Sequence, residues 1–256
     1  MKPMRHSILL STLAAVALGA TASSQAQQAA PAAKPAAPAA AAPAPVAAPA
    51  AVAKPKPQPA LDIKAISFFV TSAGKGDGAN FGGLDGADAH CGALAKAAGS
   101  TATAWKAYLS TTAPGGDAGV NARDRIGKGP WRNARGVVVA RGVADLHSAG
   151  NRLTKDTALN EKGEVISGRG DAVNMHDVLT GSDPQGQYST AGGDTTCGNW
   201  TKNAEGSAIV GHHDRTGLKV SPHMISWNSS HGSAGCSQDA LKKTGGAGLL
   251  YCFLAN

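Results

Sequence analysis

Apolar residues are spaced differently in successive stretches of this chain, and the spacing predicts its elements. Residues 8–20 form a short unbroken apolar run. Over 63–71 the apolar side chains recur as in a strand, and glycines 74, 76, 78, 82 and 83 then predict a loop. Ala87, Cys91, Leu94, Ala95 and Ala98 fall at i, i+4, i+7, i+8 and i+11, one face of a helix. Asp85 is the expected N-cap of that helix and Gly99 its stop. Residues 104–111 alternate as a second strand, 137–140 read as a short buried one, and 248–254 as a closing strand. Beyond residue 150, Gly, Asn, Asp, Ser and Thr dominate, which predicts a loop-rich region. The expected class is α+β, in one domain over 61–256.

The two segments before that domain read differently. Lys2 and Arg5 precede the 8–20 run, which is too short for a comfortable membrane span, and small residues follow as far as Ala26. This predicts an export signal over 1–26. Residues 27–60 hold nine prolines in 34 positions and almost no large side chains, so burial cannot offset their ordering entropy. They are expected to be a disordered tether, reaching on the order of 100 Å at about 3.1 Å per residue. No later apolar run approaches membrane-spanning length, so no transmembrane segment is expected. The expected location is secreted or periplasmic, including the cell surface.

Charge changes the picture once it is divided. The net charge of +7 includes Lys2, Arg5, Lys34, Lys54 and Lys56, which lie in the signal and tether with no acid beside them. The domain keeps 19 basic and 17 acidic residues, a net of +2, which does not support a nucleic-acid binder. Its basic charge is uneven. Arg123, Arg125, Lys128, Arg132, Arg135 and Arg141 fall within 19 residues, opposed only by Asp124. Guanidinium forks grip planar oxyanions in pairs of hydrogen bonds. Arg123, Arg125, Lys128, Arg132 and Arg135, with Trp131 to stack on a sugar ring, are therefore a candidate site for acidic polysaccharide.

The four cysteines, Cys91, Cys197, Cys236 and Cys252, lack the close spacing of a zinc knuckle or redox dithiol. An even number in an exported chain points to two disulfides, with three connectivities open. Cys91 falls on the expected helix, Cys252 on the closing strand, and Cys197 and Cys236 bracket the loop-rich region. A helix cysteine joined to a final-strand cysteine, with a second bridge nested inside, resembles the C-type-lectin-like fold. The detail is similar to the endostatin domain of collagens and to bacterial secreted domains of that pattern. The residues carrying the likeness are Gly181-Ser182-Asp183-Pro184-Gln185-Gly186, Cys197-Gly198-Asn199-Trp200-Thr201, and Trp105-Lys106-Ala107-Tyr108-Leu109-Ser110. The resemblance implies the pairs Cys91–Cys252 and Cys197–Cys236. Loop entropy would make these bridges worth roughly 5 and 4 kcal/mol.

Sugar-binding C-type lectins hold calcium with a carboxylate-Pro-amide loop, a later acid and an Asn-Asp after a Trp. The residues resembling them are Asp183, Gln185, Asp194 and Asn228. Ser229 stands where an acid is expected, so calcium is not expected to be required, and Asp183-Pro184 reads rather as the start of a turn closed by Gly186. His212-His213-Asp214 with His223 and His231 offers zinc donors, but no short spacing fixes a geometry for them. Arg169-Gly170-Asp171 matches an integrin-read tripeptide that recurs by chance. No nucleophile elbow or phosphate-binding glycine loop is present, so no enzyme is expected. The expected function is a lectin-like binding module for a polysaccharide or glycoconjugate. The alternatives are an adhesin that binds a cell-surface protein and, last, an extracytoplasmic hydrolase.

Overall fold

The computed structural model describes residues 58–112, 119–190 and 192–256. The expected signal and residues 27–57 of the expected tether lie outside the described residues. Residues 58–60 are exposed, and the carbonyl of Pro59 accepts a hydrogen bond from Arg135 Nη1 at 2.6 Å.

The chain is mixed α+β. In order the elements are β1 (Phe68–Val70), α1 (Gly83–Ala97), β2 (Trp105–Ala107), α2 (Ala122–Arg125), β3 (Trp131–Arg132), β4 (Val138–Ala140) and α3 (Val143–Leu146). Then come β5 (Asp177–Leu179), α4 (Cys197–Trp200), β6 (Ile209–His212), β7 (His231–Gly232), α5 (Gln238–Thr244) and β8 (Gly246–Leu254). The closing strand β8 organises them. It pairs antiparallel with β1 and β2 and parallel with β5, and the sheet continues through β6 to β7 at its edge. Strand β8 is buried on both faces, which explains its near-continuous apolar sequence. Leu250 and Cys252 belong to one core cluster with Phe69, Cys91, Trp105 and Trp200. Leu249, Tyr251 and Phe253 belong to the other, with Phe68, Tyr108, Trp131 and Trp227.

Cys91 is bonded to Cys252 and Cys197 to Cys236, the first tying α1 to β8. The expected helix is present, with Ala87, Cys91 and Ala95 buried, and Gly99 follows it at φ 97°. Asp85 is not its N-cap. Gly82 holds that position, and Asp85 sits in the first turn, where a negative charge suits the helix dipole. The strand expected over 63–71 is reduced to three residues, because Ala65 N–H donates back to Asp62 Oδ1 and the backbone turns there. The strand expected over 104–111 likewise keeps only Trp105–Ala107.

The loop-rich region holds two short helices that the apolar spacing did not reveal, α4 and α5. Ser237 Oγ caps α5 by accepting from Ala240 N–H at 3.2 Å, and Gly245 ends it at φ 101°. Apolar spacing fails for α5 because only Leu241 of its seven residues is buried. Among the described residues, no helix is long and apolar enough to cross a membrane.

Candidate metal centre

The arginine stretch is dispersed into structural roles. Arg125 Nη2 reaches both carboxylate oxygens of Asp88, at 2.8 and 2.9 Å, and its Nη1 donates to the carbonyl of Ala107, with the side chain mostly buried. Arg123 donates to Gln185 O at 3.0 Å, and Arg135 to Gly163 O at 3.0 Å. Arg132 reaches Gly136 O at 3.1 Å but is exposed, as is Lys128. Trp131 is fully buried against Phe253 and donates to Leu254 O, so it is a core anchor and not a platform for a sugar ring.

Three of the four residues likened to calcium ligands have side chains engaged elsewhere. Asp183 Oδ1 accepts from the N–H groups of Gln185 and Gln187, which makes Asp183-Pro184 the start of a turn. Asn228 turns its Nδ2 toward Asp183 O at 3.0 Å and Tyr108 Oη at 3.1 Å, while its oxygen accepts from Ser226. Among the described residues no hydrogen bond involves the Gln185 side chain; its backbone carbonyl accepts from Arg123. Asp194 accepts from Thr196 N–H and Gly198 N–H and pairs with Lys202 at 3.1 Å. These bonds hold α4, where Cys197, Gly198, Asn199 and Trp200 all have positive φ. Left-handed backbone costs roughly 1–2 kcal/mol per non-glycine residue, so α4 needs such external bonds and its disulfide. Asp194 serves that turn.

A different set of side chains converges at the β5–β6–β7 end of the sheet. Asp177 on β5 stands opposite His212 on β6, and His231 on β7 stands opposite Val210, whose side chain shares the face of His212. Cross-strand and diagonal neighbours on one face lie within reach of each other. His176, just before β5, stacks on the His212 ring with centroids 4.1 Å apart. Its place depends on Gly245, where a Cβ would stand 3.0 Å from the His176 ring.

The donor atoms of His176, Asp177 and His212 lie within 4.8 Å of one another. The Nε2 atoms of His176, His212 and His231 are 3.2, 3.3 and 3.5 Å from Asp177 Oδ1. His212 Nε2 and His231 Nε2 are 3.0 Å apart. Neither oxygen of Asp177 receives an aligned hydrogen bond, although the residue is buried.

An outer ring of acceptors decides which nitrogens face inward. His212 Nδ1 lies 2.7 Å from Met224 O, His231 Nδ1 lies 3.1 Å from Gly232 O, and His176 Nδ1 lies 3.3 Å from Asp214 Oδ1. A carbonyl or carboxylate only accepts, so in the neutral rings each Nδ1 carries the proton and each Nε2 presents a bare lone pair. This is the arrangement that orients metal-bound histidines. Gly211 supports it. A Cβ there would stand 1.8 Å from Trp227 O, so only glycine lets the 224–228 segment lie against β6 and bring Met224 O to His212.

These groups are coupled electrostatically. Burial pushes the Asp177 carboxyl up, but the imidazoles of His212, His231 and His176 outweigh it and hold it below the usual range. Contact with Asp177 raises His231. Burial likewise pushes Asp214 up, and the bonds from His176, Arg169 N–H and Thr216 N–H hold it well below the carboxylate range. His213 points elsewhere, with Nε2 3.3 Å from Ser167 O, and burial keeps it neutral, with its pKa lowered to about 4. His223 is exposed.

The cluster floors a cleft of about 380 Å³ lined also by Arg169, Leu218, Met224 and Lys243. Sequence reasoning named His212, Asp214 and His231 but missed His176 and Asp177. The only signal for these two was an unexplained polar pair at the head of a buried apolar strand, 36 residues before His212. Of Arg169-Gly170-Asp171, the acid pairs with Lys155 and Arg169 reaches the cleft. Neither a protein-family model nor a curated protein matches the chain.

Proposed function

We propose that this protein is an extracytoplasmic binding module of C-type-lectin-like fold that works through a divalent transition metal held by His176, Asp177, His212 and His231. The observation that carries this reading is the convergence of three Nε2 atoms on a buried carboxylate without an aligned hydrogen bond. Facing electron-pair donors repel unless a cation lies between them. Imidazole donors suit zinc and its neighbours, whereas calcium takes oxygens. Two ligands about 2.0–2.1 Å from a tetrahedral zinc ion stand about 3.3–3.4 Å apart. The separations of His212 Nε2 from His231 Nε2 and of the three Nε2 atoms from Asp177 Oδ1, 3.0 to 3.5 Å, are close to that spacing.

The two disulfides fit an oxidising compartment. The ligand we propose remains an acidic one, such as an acidic polysaccharide or glycoconjugate, received at the metal cleft and not along residues 123–135. Arg169 and Lys243 on the rim support that placement.

Metal analysis of the full exported chain after dialysis against zinc tests the reading. One tightly held equivalent, with a melting temperature that falls in chelator, is expected. Absence of stoichiometric metal together with coincident melts in zinc and chelator would refute it.

A further inference from the structure

The four donors are not equally committed. The side chains of His176, Asp177 and His212 are almost wholly buried, at 2%, 1% and 2% exposure, whereas His231 is 28% exposed. His212 is oriented by Met224, twelve residues away in sequence, and His176 by Asp214, 38 residues away. Among the described residues, His231 Nδ1 has only the carbonyl of its neighbour Gly232 as a partner, and the residue sits on a two-residue strand at the edge of the sheet. An edge position and a partly exposed ring leave room for it to turn toward solvent.

The cleft it would swing from is already suited to an anion. Arg169 and Lys243 line it, both are exposed, and neither is paired with an acid among the described residues. Three neutral imidazoles and one carboxylate around a divalent ion leave a charge of one positive unit, which the two rim cations increase. Replacing one imidazole by a carboxylate brings the shell to neutrality. Leu218, 80% exposed, and Met224 give the same cleft an apolar wall.

Resting on the metal reading above, we propose that His231 is an exchangeable ligand. A carboxylate-bearing ligand takes its place, held by Arg169 and Lys243 with its non-polar part against Leu218 and Met224. The shared chemistry is the carboxylate. It is carried by a sugar acid or by an apolar acyl amino acid.

Cobalt(II) loaded into the full chain reports this directly, because its visible absorption follows the ligand set. Titration with acetate, glucuronate and N-acetylleucine should shift the spectrum saturably. Tighter binding of glucuronate or of N-acetylleucine identifies the source of the carboxylate. His231→Ala should still bind cobalt. If the wild-type histidine fills the position nine times in ten, its removal should tighten carboxylate binding about tenfold. The double variant Arg169→Ser/Lys243→Ser should keep the wild-type cobalt spectrum and lose most of its carboxylate affinity. Bound cobalt whose spectrum no carboxylate moves, in wild type and in His231→Ala, would overturn the exchange and leave a closed four-ligand site. Failure of the wild-type chain to bind cobalt would overturn the metal reading and the exchange together.

Discussion

Around Asn228, each buried polar group has a partner. Its amide donates toward Tyr108 Oη, Asp183 O and Pro184 O, its oxygen accepts from Ser226, and Tyr108 donates to His147 Nε2 at 2.7 Å. Around Asp177, equally buried, four donor atoms face one another and the carboxylate has no aligned hydrogen bond. Both clusters are polar and cross-linked to distant chain segments. A satisfied network of this kind rigidifies a core, while an unsatisfied one is costly unless a ligand completes it. The Asn228 cluster is therefore architecture, and the Asp177 cluster is the place to look for chemistry.

The largest expected effect breaks the unsatisfied cluster. Asp177→Ala should lower zinc affinity by more than the roughly 10–100-fold that outer-shell changes cost. It should also erase the zinc-induced rise in melting temperature, which for wild type corresponds to about 2.7 kcal/mol at a hundredfold excess over Kd. Calorimetric titration and melts measure both, and an unchanged zinc isotherm would remove Asp177 from the site. Next, Asn228→Ala should destabilise the fold by about 2–3 kcal/mol through the partners it leaves unpaired, and equally in zinc and in chelator. A loss confined to the zinc-loaded form would erase the distinction between the clusters.

Smaller effects sharpen the comparison. Asp214→Asn should cost roughly 10–100-fold in zinc affinity by loosening the His176 ring, while His213→Gln should leave that affinity nearly unchanged. Similar losses in the two would show that His176 is not oriented by Asp214. The smallest effect is one of pH. Burial outweighs the bond to Val143 O and lowers His147, whose Nε2 must stay bare to accept from Tyr108. The folded value lies below the unfolded one of about 6.5. Its stabilising contribution is thus complete above that pH and is lost as pH falls through the folded value. Melting temperatures in chelator from pH 8 to 5 should fall less steeply for His147→Phe than for wild type. Parallel curves would mean that His147 does not titrate with unfolding.

Legibility tracked the range of the interactions involved. The face Ala87, Cys91, Ala95 and the long apolar run of β8 were readable because burial imposes its period on neighbouring residues. The arginine stretch was less legible, because closeness in sequence says nothing about partners. Arg125 finds Asp88, 37 residues back, and Trp131 finds Phe253. The Asp183-Pro184 turn was legible, because an Asp before Pro accepts from backbone N–H groups only a few residues on.

By itself the sequence determined the mixed class, the helix and strand that carry Cys91 and Cys252, and the division of charge between domain and preceding segments. These follow from composition and from periodicities of a few residues. The candidate metal centre, by contrast, exists only once the chain is folded. Its donors come from residues 176, 177, 212 and 231, brought together by strand pairing across β5, β6 and β7. That register depends on Gly211 and Gly245 lacking side chains where other backbone and rings press in. No local spacing encodes such a meeting, because a sheet joins residues by register and not by distance along the chain.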